Sequence, residues 1–176
     1  GAGNGYYTVR LAERVGADGR VLAQDIDRDA LNHLGRRIER QRLENVSIRQ
    51  GELADPKLPE NSFDRIFMVH MYHEIAQPYE FLWRMWPALR KGGQVIVVDI
   101  DRATDKHGID LLLLSCEFKA AGYDLVTFKD SPELAGYYAQ FKAAATRPEP
   151  GEIQPCRGER AALGNEAQGA RKEKKA

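Results

Sequence analysis

Apolar and polar positions along the chain change their period several times, and each change predicts an element. Tyr7, Leu11 and Val15 recur at four-residue spacing, which predicts a helix with that face inward, stopped at Gly16. Val21-Leu22-Ala23-Gln24-Asp25 then reads as a short buried strand ending in a carboxylate. Asp27 is placed to cap a second helix, where Leu31, Leu34 and Ile38 keep helical spacing and Arg36, Arg37, Glu39 and Arg40 face water. Asn45 to Gln50 alternates as a strand does, and Gly51-Glu52-Leu53 closes it. Beyond a loop marked by Pro56, Pro59 and Asn61, Phe63 to Val69 is the next strand, running into the polar cluster His70-Met71-Tyr72-His73-Glu74. Pro78 opens a helix with Phe81, Leu82, Met85 and Leu89 inward, and Lys91-Gly92-Gly93 ends it. Trp83 and Trp86 broaden its apolar stripe. Gln94 to Asp99 is almost wholly apolar, as is a strand buried on both faces of a parallel sheet.

This alternation predicts an α/β fold with right-handed crossovers. The pattern then shifts. Ile109 to Ala121 reads as a leucine-rich helix, and Tyr123 to Phe128 and Tyr137 to Phe141 as two strands. The connection between those strands is short enough only for an antiparallel hairpin. Residues 146–176 have no aromatic, no period and a Lys-rich end, so a disordered tail is expected there. Residues 1–145 read as one doubly wound, Rossmann-like domain, mostly parallel with a C-terminal antiparallel hairpin.

Composition narrows the function classes. The 176 residues are 43% hydrophobic and 30% charged, an ordinary soluble composition. Lys+Arg and Asp+Glu balance at 26 each, so no global field draws the chain to nucleic acid or to an anionic membrane. The run Ile109 to Cys116 is too short to span a bilayer. Cys116 and Cys156 have no C-x-x-C spacing and read as two reduced thiols in a cytoplasmic protein.

The chemistry is concentrated in Gly1-Ala2-Gly3-Asn4-Gly5 and in Asp25. A glycine turn, a helix, a strand and an acid roughly 20 residues on form the nucleotide-binding half of a doubly wound sheet, with the acid on the ribose hydroxyls. The dinucleotide fingerprint wants a small third residue at position 6, where this chain has Tyr6; its own spacing is G-x-G-x-G. Further on come Gly51-Glu52, Leu58-Pro59-Glu60-Asn61-Ser62-Phe63-Asp64 and Leu89-Arg90-Lys91-Gly92-Gly93.

In this order, over residues 1 to about 143, the motifs resemble class I S-adenosylmethionine-dependent methyltransferases, particularly the small-molecule branch. The resemblance implies S-adenosyl-L-methionine as cofactor. It implies that Gly1, Gly3 and Gly5 line its methionine part, that Asp25 holds the ribose diol and that Ile26 packs on the adenine. Glu52 and Leu53 fall where the family contacts the adenine amino group, although Asp is commoner at the first of these. Val69 and His70 fall beside the sulfonium. The family feeds its glycine turn from a central strand, so this chain is expected to be an N-terminally incomplete domain lacking that strand. It is then expected to be marginally stable, with unpaired strand edges.

Methyl transfer is an in-line displacement in which alignment contributes most, and a base is needed only for a hydroxyl, thiol or protonated amine. Candidates follow two strand ends: His70, Tyr72, His73 and Glu74 after one, Asp99, Asp101 and His107 after the other. His73 is the candidate base, followed by His107. Asp99 and Asp101 are read either as holding a cationic substrate or as capping turns. His70-x-x-His73 lacks a third ligand, and no metal is expected. The acceptor is an unidentified small molecule; the [N/D]-P-P-[Y/F/W] segment of nucleic-acid amino-methyltransferases is replaced by His70-Met71-Tyr72-His73. Two other readings stand beside this one: a methyltransferase-like protein that binds the cofactor or a partner without turnover, and an NAD(P)-dependent oxidoreductase, which Tyr6 opposes.

Overall fold

The computed structural model describes residues 1–134 and 136–157. The chain divides into two compact units, Gly1–Leu58 and Pro59–Ala176. Their secondary structure is α/β, and the expected domain of residues 1–145 falls in both.

The first unit comprises α1 (Tyr6–Val15), β1 (Val21–Asp25), α2 (Arg28–Gln41) and β2 (Val46–Gln50). The two strands pair in parallel from Val21↔Val46 to Asp25↔Gln50, and α2 supplies the long crossover that parallel strands require. As expected, Asp27 caps α2, its carboxylate accepting from the N–H groups of Asp29 and Ala30. Such a cap stabilises a helix by about 1 kcal/mol. Leu31 and Leu34 are buried beneath α2. The inward face of α1 differs from the expected one. Thr8, Val9 and Ala12 are buried, whereas Tyr7 and Val15 are each 42% exposed. The helix starts from Gly5, which lies against the Leu34 side chain, and from that start the covered face carries short side chains that permit close approach.

The second unit contains β3 (Phe63–Val69), α3 (Pro78–Met85), β4 (Leu89–Asp99), α4 (Leu111–Ala120), β5 (Tyr123–Ser131) and β6 (Gly136–Ala143). Its sheet runs β3-β4-β6-β5. β3 and β4 are parallel, and the expected hairpin follows: β6 is antiparallel to both β4 and β5. Val95, Ile96, Val97 and Val98 on β4 are buried on both faces, as their uninterrupted apolar run predicts. Phe118 stacks on Phe141 with ring centroids 3.9 Å apart, and Tyr72 and Tyr123 pack around Phe118. The Tyr123 hydroxyl donates to the Leu82 carbonyl at 2.7 Å. Burial pushes its phenol well up, offset only in part by the Arg147 charge.

Three expectations are corrected here. The helix opened by Pro78 does not reach Gly93: it ends at Met85, passes through a 3-10 turn, Trp86–Ala88, and is extended from Leu89. Pro87 has no N–H to continue the helix, and Gly93 packs so closely on the Phe63 and Arg90 backbones that a Cβ there would collide.

The second correction concerns the start of the expected tail, which is packed on this unit. The Arg147 guanidinium lies 3.4 Å over the Trp83 ring and donates to the Trp83 carbonyl at 2.7 Å. The Trp83 indole N–H donates to the Pro148 carbonyl, the Trp86 indole to the Gly122 carbonyl, and the Cys156 N–H to the Tyr79 hydroxyl. Residues 158–176 lie outside the described residues. Thirdly, Cys116 and Cys156 are joined as a disulfide rather than being free thiols, because the ordered segment brings Cys156 onto α4. No described helix is long and apolar enough to cross a membrane.

Candidate functional site

In the first unit, the expected cofactor residues gather at the carboxyl ends of β1 and β2. Gly3 (φ 52) and Gly5 (φ 83) hold the left-handed backbone that the turn needs. A Cβ on Gly5 would collide with Leu34, whereas the space over Gly3 is open to 4 Å. A ligand can therefore approach the backbone at Gly3 without displacing a side chain there.

Asp25 ties the segments together. Its Oδ2 accepts from the Gly3 N–H at 2.8 Å and its Oδ1 from the Asp27 N–H at 3.0 Å. Its own carbonyl accepts from the Gly51 N–H at 2.9 Å. The Gly1 ammonium lies 3.9 Å from Oδ2. Burial, the largest single influence, pushes this carboxyl up; the N–H groups of Asp27 and Gly3, the Gly1 ammonium and the Ile26 N–H together outweigh it. The net result is a carboxyl held below the usual range and ionised at neutral pH. A carboxylate has about four lone-pair sites, so one fixed by two backbone donors keeps acceptor capacity for a diol. Ile26 and Leu53 are 46% and 58% exposed, each a flat apolar surface beside that carboxylate's strand or the next. Glu52 donates its N–H to the Asp55 carbonyl at 2.7 Å, and its carboxylate lies 3.2 Å from Lys57 Nζ. The hydrogen bonds that Lys57 donates to the Asp55 and Glu52 carboxylates raise the pKa of its ammonium above the ordinary value. These features fit an adenosine group. A cleft of about 450 Å³ in the same unit is bounded by Ala12, Arg20, Arg42 and Asn45, at the opposite strand ends, and includes none of the expected residues.

In the second unit, β3 ends at Val69, and His70 turns the chain with φ 51 while its N–H donates to the Val98 carbonyl at 2.8 Å. A 3-10 turn, Tyr72–Glu74, follows. Tyr72, one of the loop candidates, points into the core instead: it is fully buried and its hydroxyl donates to Glu117 Oε2 at 2.8 Å. That anchor sets the next residue. His73 Nδ1 lies 3.0 Å from both carboxylate oxygens of Asp99, at the end of β4. Asp99 is completely buried and also accepts from the Ile100 N–H. A carboxylate oxygen only accepts, so Nδ1 carries the proton and Nε2 the lone pair. Gly136, at the start of β6, packs so tightly on the Asp99 carbonyl that any Cβ would collide. His107 (φ 58) stands edge-on to His73 with ring centroids 6.0 Å apart, and a Glu74 oxygen is 4.0 Å from His73 Nε2. Asp101 caps: its Oδ1 accepts from the Leu111 N–H at 3.4 Å.

His73, the residue expected as base, thus has a buried partner, Asp99, that the sequence alone does not assign to it. From the sequence alone Asp99 reads as holding a substrate or capping a turn. The available signal was topological: consecutive parallel strands end side by side, so polar groups following both ends meet.

The sequence profile of the family described as "Methyltransferase domain" matches residues 1–93. A demethylmenaquinone methyltransferase of Geobacillus sp. (strain WCH70) is 24% identical over 102 residues, 58% of this chain and 44% of that protein. The ubiquinone/menaquinone biosynthesis C-methyltransferase UbiE of Idiomarina loihiensis is 29% identical over 102 residues, 57% of this chain and 40% of its own. The chain therefore spans less than half the length of these curated relatives. Among solved structures, a SAM-dependent methyltransferase from Aquifex aeolicus superimposes with a TM-score of 0.71 at 22% identity, covering 81% of this chain and 78% of that one. The fold is that of the Rossmann-like methyltransferases. The chain belongs to the methyltransferase-domain family of class I, S-adenosylmethionine-dependent proteins.

Proposed function

We propose that this chain transfers a methyl group from S-adenosyl-L-methionine to a small-molecule acceptor whose reacting group must lose a proton, and that His73 takes that proton. The pairing of His73 Nδ1 with the buried Asp99 carboxylate carries this reading. It fixes the ring orientation and tautomer and leaves Nε2 as the accepting atom, as a base requires. Bound cofactor supplies a methyl group already activated by the sulfonium charge.

The adenosine end rests on the first unit. Asp25 accepts from the ribose hydroxyls, Ile26 lies on the adenine, Glu52 and Leu53 meet its amino edge, and Gly1, Gly3 and Gly5 give backbone access to the methionine part. Val69 and His70 keep the role that the family pattern assigns them, beside the sulfonium. We take the domain to extend beyond residue 145 to Cys156, since that segment is packed on the second unit.

The names of the relatives favour a quinol or related phenol as acceptor. Removing its hydroxyl proton raises electron density on oxygen and ring carbons alike. A ring carbon then bonds to the methyl carbon as the C–S bond breaks, and S-adenosylhomocysteine leaves as the neutral thioether. The methylated ring carbon gives up its own hydrogen as a proton to water to restore the aromatic ring. The balanced charge of the chain gives no support to a nucleic-acid substrate or a membrane partner. A cytoplasmic location remains part of this proposal. A Cys116–Cys156 bond found closed in protein extracted with thiols blocked would move it to an oxidising compartment.

The test is methyl transfer from labelled cofactor to a panel of demethylated quinols and simple phenols, alongside calorimetric titration of S-adenosylhomocysteine. The expected result is cofactor binding abolished by Asp25→Ala and turnover lowered about 10²–10⁴-fold in His73→Gln, with cofactor affinity kept. Cofactor binding without turnover on any acceptor would favour the non-catalytic reading. Absence of binding would sink both.

A further inference from the structure

We propose that His73, Glu74 and His107 form a binding site for a divalent transition-metal ion of the zinc type, with Asp99 behind it. His73 and Glu74 are consecutive, but nothing in the spacing of the sequence brings His107 to them: it comes from a turn 34 residues beyond His73. Among the described residues, one nitrogen from each imidazole and one Glu74 oxygen lie within 4.8 Å of one another.

Three features favour a metal over a chance cluster. First, the donors are two imidazoles and one carboxylate, a set suited to Zn²⁺ or Co²⁺ and poorly suited to Mg²⁺ or Ca²⁺, which take oxygen ligands. Secondly, His73 has the outer-shell partner that metal-ligating histidines use. Its Nδ1–H is donated to a buried carboxylate, which fixes the ring and leaves the Nε2 lone pair outward for a ligand. Thirdly, the rigid donor is the buried one, while Glu74 and His107 are exposed and free to adjust their side chains. Tetrahedral ligands on bonds of about 2.1 Å stand roughly 3.4 Å apart. The remaining gap is closed by side-chain rotation of Glu74 and His107 alone, with Asp99 and His73 left in place.

Three protein ligands leave one coordination position open. The ion and the acceptor's proton would compete for the same atom, His73 Nε2. Metal binding would therefore switch off the proton-accepting role proposed above. The site itself is independent of that role, and binding is read without cofactor or acceptor.

The experiment is a spectroscopic titration of the tag-free, full chain with Co²⁺, followed by displacement with Zn²⁺. Wild type is expected to bind one equivalent saturably, with the visible d–d absorption of a low-symmetry site, and to lose it on adding Zn²⁺. His107→Ala, an exposed change that leaves the buried dyad intact, is expected to weaken binding at least tenfold. Asp99→Asn, checked for folding by circular dichroism, is expected to weaken it about 10- to 100-fold. Absence of saturable binding to wild type overturns the site, as does unchanged affinity in His107→Ala. Neither result bears on cofactor binding, so failure here and failure of the methyltransferase reading are separable.

Discussion

Asp25 and Asp99 are both carboxylates at strand ends, yet they are held for different work. Asp25 meets backbone donors, which lower its pKa in the folded chain. A depressed folded pKa contributes stability above the unfolded value, and that contribution is lost as pH falls through the folded one. We expect the advantage of wild type over Asp25→Asn in urea denaturation to be full near neutrality and to shrink below about pH 4. A constant difference across that range would count against the ionised, backbone-held carboxylate. Asp99 meets a side chain, His73, and under the role proposed for that histidine its replacement is expected to tell on catalysis. Asp99→Asn is expected to lower kcat about as far as His73→Gln does, roughly 10²–10⁴-fold, with KM for the cofactor unchanged. An equal loss in both constants would point to general structural damage instead. Asp25 was legible in the sequence because turn, helix, strand and acid are contiguous and their spacing is fixed by geometry. The partnership of His73 with Asp99 was not, since the residues stand 26 apart and meet only through the pairing of β3 with β4.

Among elements, β4 explains both what was readable and what was not. Its apolar run announced a strand buried on both faces, and the hairpin β5–β6 followed from the shortness of its connection. Its true start at Leu89 was hidden, because Lys91-Gly92-Gly93 also suits a helix end and Pro87 had already closed α3. The buried face of α1 departs from the periodic one for a related reason: period alone marks the largest apolar side chains, whereas close packing selects short ones such as Thr8 and Ala12. Where β6 begins, Gly136 touches the Asp99 carbonyl. Gly136→Ala is expected to destabilise the second unit by about 1–3 kcal/mol, the range for overpacking. It should also reduce turnover by shifting Asp99. Full stability in a thermal melt would show that β6 can give way there.

At the scale of the molecule, the segment from Arg147 to Cys156 is the largest departure from expectation. It has no hydrophobic period because the Trp83 indole N–H, the Arg147 guanidinium and one disulfide hold it, none of which leaves a periodic trace. A cross-link over 40 residues raises stability by about 4 kcal/mol through the unfolded chain. Cys156→Ser, or reduction of wild type, is expected to lower the melting temperature of the second unit, measured with and without a phosphine reductant. An unchanged melting temperature would show that the bond does not constrain the unfolded chain.

The two tryptophans give that segment a spectroscopic consequence. Trp83 and Trp86 are the chain's whole complement, and both donate their indole protons to carbonyls of the second unit. Intrinsic tryptophan emission is therefore a private signal of residues from Pro59 onward, silent about the glycine turn and Asp25. A fluorescence melt and a far-ultraviolet circular dichroism melt that coincide would report one cooperative molecule. Melts that separate would time the unfolding of its two parts individually.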